Sequence, residues 1–221
     1  MNGCACELNM AWGDGTMSLS WAAETSGVTV VRLLIKLGAD VDKAGNLRGY
    51  TPLMKATGKG HDAVLRLLIE AGADVEKADD EGWTPLSVAA TNDQQAIAQA
   101  LIEAGTDLNK ADYDDATPLY IAAAYGHEAF VRVLIEAGAD INASTDEKES
   151  LLWIAMVDGH EAVVRALIEA EADITKFECY DMMPLCYAAR QRSDAYVRAL
   201  IEAGAEQDGA FQQDAAVHYH R

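Results

Sequence analysis

The fold class this sequence predicts is an all-α solenoid of six helix-turn-helix units, and three observations predict it. The segments TPLMKATGKGHDAVLRLLIEAGAD at 51–74, TPLSVAATNDQQAIAQALIEAGTD at 84–107 and TPLYIAAAYGHEAFVRVLIEAGAD at 117–140 start 33 residues apart. Degenerate copies at 17–40, 150–173 and 183–206 extend the register to six units, with one extra residue between the first and second. A period of a few tens of residues marks stacked units that bury their apolar faces only against one another. Half of the 221 residues are hydrophobic, enough for one continuous core along such a stack.

Local chemistry sets the order of elements within a unit. Thr51, Thr84 and Thr117 can each cap a helix, and the proline that follows sits at the first helical position, where its missing N–H leaves nothing unsatisfied. Paired alanines in this short helix permit close approach of its neighbours. A Gly-His or polar pair such as Gly126-His127 then breaks the chain, and a second segment places Val131, Leu134 and Ile135 on one helical face. Gly72, Gly105, Gly138 and Gly204 stand where a left-handed residue ends the second helix and releases the chain into a loop. In the fifth unit Glu171 holds that position, Ser150 opens without a proline, and Met156 replaces a small alanine. That unit is expected to end differently or to carry about 1 kcal/mol of strain at Glu171, with local repacking and no break. Arg66 with Glu70, Arg132 with Glu136, Arg165 with Glu169 and Arg198 with Glu202 lie four apart and are expected to pair along a solvated face.

The TPL opening, paired alanines, Gly-His turn, leucine-rich second helix and GAD ending recur together over residues 16–206, and in this combination the chain resembles the ankyrin-repeat family. The resemblance implies stacked antiparallel helix pairs with projecting β-hairpin-like loops and a concave face that binds other proteins. It implies an ankyrin-repeat domain over 16–206, flanked by an N-terminal extension at 1–15 and a tail or partial capping repeat at 207–221. The family's histidine after TPL is replaced by Ser20, Met54, Ser87, Tyr120, Trp153 and Cys186, so its hydrogen bonds should be missing and Tyr120 and Trp153 should point into the stack. The resemblance also allows hydroxylation of Asn109 or Asn142. The last helix, ending near Ala203, is as apolar as an internal one, so it should be covered or should self-associate; the chain is otherwise expected to be monomeric.

Acidic residues number 36 against 17 basic ones, a formal net charge of −19, which repels nucleic-acid phosphates and anionic lipid and excludes both as natural partners. Spread-out acidity also serves solubility. Cys4, Cys6, Cys179 and Cys186 are too few and too scattered for a secreted disulfide framework. With no secretion signal or membrane-spanning run in view, an intracellular location is expected, cytoplasmic before nuclear.

No catalytic, cofactor or metal motif is present: there is no G-x-S-x-G elbow, H-E-x-x-H pair or Rossmann fingerprint, and Gly58-Lys59-Gly60 reads as a turn. His61, His127 and His160 recur one repeat apart, too far for shared coordination, and read as turn residues. Binding residues are sought where the family varies freely, at the loop tips and the exposed side of the first helices. These are Leu47, Arg48, Tyr50, Asp80, Glu81, Trp83, Tyr113, Asp114, Tyr125, Asp146, Glu147, Glu149, Asp158 and Tyr180. Aromatics among carboxylates suit lysine or arginine, through cation–π contact of about 0.5 to 2 kcal/mol and charge pairing. The expectation is a non-catalytic adaptor or inhibitor that takes a basic peptide segment or helix of another protein. The alternatives are a scaffold fragment of a longer array and, last, an enzyme using Asp114 and Asp115 as acid and base, which an exposed loop tip serves poorly.

Overall fold

A computed structural model of the protein describes residues 18–45, 48–145, 149–174 and 184–204. The N-terminal extension and the C-terminal tail lie outside these. Twelve helices among the described residues form six antiparallel pairs: α1 (Ser18–Glu24) with α2 (Val28–Lys36), α3 (Pro52–Lys59) with α4 (Asp62–Glu70), and α5 (Pro85–Thr91) with α6 (Gln95–Glu103). There follow α7 (Pro118–Ala124) with α8 (Glu128–Glu136), α9 (Leu151–Val157) with α10 (Glu161–Glu169), and α11 (Pro184–Arg190) with α12 (Asp194–Glu202). First helices stack on first helices from α1 to α9, and second helices on second helices from α2 to α12. One apolar cluster runs through all six pairs. This is the all-α repeat solenoid the periodicity predicts.

The helix starts are built as their residues dictate. Thr51, Thr84 and Thr117 each accept, at Oγ1, the amide of the third helical residue at 3.2 Å, with proline in the first turn. Ser150 does the same for Trp153 without a proline, so the fifth repeat opens normally. Met156 is buried within an unbroken α9.

Glu171 takes the left-handed conformation of the glycines it replaces, with φ at 61°. A side chain costs about 1 kcal/mol there, so Glu171→Gly is expected to raise the unfolding free energy by about 1 kcal/mol in urea titration. An unchanged midpoint would show that the left-handed turn costs this chain nothing.

One expectation is corrected here, and another is extended. The arginines do not pair with the glutamate four residues ahead. Arg66 binds Asp62 at 3.1 Å and Glu103 of the next repeat at 3.6 Å; Arg132 binds Glu128 at 3.1 Å and Glu169 at 2.9 Å; Arg165 binds Glu161. An acid N-terminal to its base is the better helical orientation, and it sets the acid beside the positive helix start. Hydrogen bonds and charges of these partners raise the pKa of Arg66 and Arg132 above the ordinary arginine range.

The histidines do more than turn the chain. Nε2–H of His61, His127 and His160 donates to the carbonyl of Glu24, Thr91 and Ala124 at 3.0, 3.1 and 2.8 Å, each in the preceding repeat. A carbonyl only accepts, which fixes the proton on Nε2.

Candidate functional site

The connecting loops decide what faces a ligand. Each is closed by a backbone bond across it, from Gly45 N–H to the Tyr50 carbonyl, from Asp79 to Trp83, from Asp112 to Ala116 and from Thr145 to Glu149, and the Gly82 and Asp115 amides turn back to the Asp79 and Asp112 carbonyls. Among the described residues these loops form no strand, only an isolated bridge between Ser144 and Ser150. The closure is reinforced by a buried carboxylate: Asp79 Oδ1 accepts the amides of Glu81 and Trp83, and Asp112 Oδ1 those of Asp114 and Ala116. Both aspartates escaped the sequence reading, although their 33-residue spacing and turn-forming chemistry mark them.

Successive loops are tied to each other. Asp80 N–H donates to the Arg48 carbonyl, and Tyr113 N–H to the Glu81 carbonyl. Gly82, at φ 84°, lies under Tyr113: a Cβ there would stand 2.9 Å from Tyr113 Cδ1. Only glycine tolerates both the conformation and the closeness, so Gly82 seats the tyrosine. At the roots of the loops, Asn109 and Asn142 Oδ1 accept the amides of Asp140 and Asp173 at 2.8 and 2.9 Å, and Lys77 and Lys110 reach the carbonyls of Asp42 and Glu76.

The loops before α5, α7 and α9 and the exposed face of α7 enclose a groove of about 460 Å³. Trp83, Tyr113, Tyr120, Tyr125, Asp112, Asp114 and Glu149 line it, with Ile121 and Ala124 at its base. Five of the predicted residues, Trp83, Tyr113, Asp114, Tyr125 and Glu149, thus meet in one place. Tyr113 is 76% exposed and Tyr125 56%. Tyr125 caps α7 and stacks on His127 at 5.9 Å, which is itself bonded to Thr91. Trp83 is half-buried and packs against the core, a wall more than a free ring.

Tyr120 follows its expected inward course only in part, its ring packing against the core. It is half-buried, lines the groove, and donates from Oη to Glu149 Oε2 at 2.7 Å. Its hydroxyl needs a polar partner and finds it in Glu149 at the groove. Trp153, at the same register, does go inward and meets Tyr187 edge-on at 5.0 Å.

The other predicted residues do not join the groove. Arg48, Asp80 and Glu81 are exposed on the neighbouring loops, and Asp158 is exposed at the end of α9. Tyr50 is half-buried, with Lys55 Nζ 5.6 Å from its ring centre. Leu47, Asp146, Glu147 and Tyr180 lie outside the described residues. Asp114 and Asp115 are both exposed. Among the described residues no three His, Cys, Asp or Glu side chains gather as metal ligands, and no helix is long and apolar enough to cross a membrane.

Comparison with known proteins agrees with this architecture. The family described as "Ankyrin repeats (3 copies)" matches residues 1–79, 19–112, 72–145 and 119–210, overlapping spans that together take in most of the chain. Ankyrin repeat and SAM domain-containing protein 6 of Mus musculus is 39% identical over 57 residues, which is 26% of this chain and 6% of that protein. The similarity therefore touches a small part of that relative's length.

Proposed function

The chain belongs to the ankyrin-repeat family, whose repeats are protein-protein interaction modules, and we propose that it holds a cationic segment of a partner protein in the groove before α5, α7 and α9. One observation carries this reading: four aromatic side chains and the carboxylates of Asp114 and Glu149 line a single groove formed by three successive loops and the face of α7. Aromatic anchors dominate binding energy at protein interfaces, and carboxylates around them attract basic partners and speed their encounter. A net charge of −19 works in the same direction. On this reading the protein is an adaptor or inhibitor that acts by occupancy and performs no chemistry of its own.

Random-peptide display tests the reading. Selection on the folded chain is expected to enrich sequences bearing lysine or arginine, and a Tyr113→Ala/Tyr125→Ala variant with an unchanged circular dichroism spectrum should fail to retain them. Enrichment of uncharged sequences, or equal retention by the variant, would move recognition away from the groove.

A further inference from the structure

Building on the reading of the groove as a cationic-segment site, we propose that its central ligand is a single arginine side chain, laid against the Tyr113 and Tyr125 rings and paired with the Glu149 carboxylate. The chain supplies its own precedent between the first and second repeats. There Lys55 Nζ sits 5.6 Å from the Tyr50 ring centre and 3.2 Å from Glu24 Oε2, while Lys59 stands 3.7 Å from Glu24 Oε1. Aromatic ring, carboxylate and cation are all internal. In the next two repeats the register position of Lys55 is held by Val88 and Ile121. Rings and a carboxylate meet again in the groove, from other register positions, as Tyr113, Tyr125 and Glu149, and its lining, among the described residues, includes no lysine or arginine. The proposed ligand supplies the cation that the described lining lacks.

Two features select arginine over lysine. Tyr120 Oη holds Glu149 Oε2 at 2.7 Å and so orients the carboxylate before any ligand arrives. A guanidinium is a flat fork that pairs with an oriented carboxylate and lays its face on an aromatic ring, whereas an ammonium is a strongly hydrated point charge. The groove is open, as the exposure of Tyr113 and Tyr125 shows, so an ammonium there keeps its water and gains little. The rings are also set in advance. Gly82 seats Tyr113, and His127, anchored to Thr91, backs Tyr125.

NMR titration with the blocked tripeptide acetyl-Gly-Arg-Gly-amide, and with its lysine and citrulline counterparts, tests the inference through the side-chain signals of Tyr113, Tyr125 and Trp83. The arginine peptide is expected to shift these signals, with a dissociation constant at least about threefold below that of the lysine peptide. Citrulline, of the same shape without the charge, should shift none. Glu149→Gln should weaken the arginine peptide about tenfold while the fold stays intact. Equal or tighter binding of lysine overturns the inference, as do arginine shifts that survive Glu149→Gln or fall outside the groove. If display-selected peptides bind the groove and the arginine tripeptide does not, arginine recognition is wrong and the protein-binding reading stands. If no peptide binds in a groove-dependent way, the reading itself fails.

Discussion

Phe130→Ala is expected to lower the unfolding free energy by about 3 to 5 kcal/mol, the cost of deleting a large side chain from a core that cannot close the gap. Phe130 is fully buried near the start of α8, and α8 packs on α6, α7 and α10. In a solenoid each unit is held by its neighbours alone, so a cavity in the fourth repeat weakens the link between the repeats before it and those after it. For a chain of this size the melting temperature should fall by roughly 10 °C or more, and the urea transition should broaden as the two halves begin to unfold separately. A cost under about 1 kcal/mol would show that the fourth repeat relaxes around the loss and that the stack is less tightly coupled than its continuous core implies.

Gly126→Ala has the second large effect, and a paired substitution separates its two causes. Gly126 lies at φ 74°, and a Cβ added there would collide with the His160 ring, 2.6 Å from Cε1. The ring cannot simply swing away, because its Nε2–H donates to the Ala124 carbonyl at 2.8 Å and joins the fifth repeat to the fourth. Left-handed strain of about 1 kcal/mol then adds to a lost hydrogen bond of about 1 kcal/mol and some displaced packing, for a total of about 2 to 3 kcal/mol. Gly72, at φ 85°, has open space around its missing Cβ, so Gly72→Ala should cost only the strain, about 1 kcal/mol. Equal losses in chemical denaturation would mean that the His160 bridge contributes nothing.

These two sites mark how far the sequence could be read. The helices, their threonine caps and the glycines that end them follow from motifs repeated in register, because capping and left-handed turns depend on residues adjacent in the chain. Glu171 illustrates this: its departure from glycine announces a strained turn, and its φ of 61° shows one. Contacts between repeats were harder to foresee. His160 reads as a turn residue until the stack brings the Ala124 carbonyl within reach, and Arg132 finds Glu169 from another repeat in place of the nearer-looking Glu136. The groove was half legible. Aromatics and carboxylates at the loop tips, just before the first helices and at their ends identified Trp83, Tyr113, Asp114, Tyr125 and Glu149, but not that the Tyr120 hydroxyl reaches Glu149 or that Lys55 covers Tyr50. Those depend on which side chain fills the same register position in the next repeat.

Calorimetric titration of a display-selected peptide into the intact chain and into the Tyr113→Ala/Tyr125→Ala variant tests the central claim most directly. Loss of two aromatic anchors should weaken binding about 100-fold, roughly 3 kcal/mol, with the fold unchanged. Equal affinity for both proteins would contradict the claim that this groove is where the chain holds its partner.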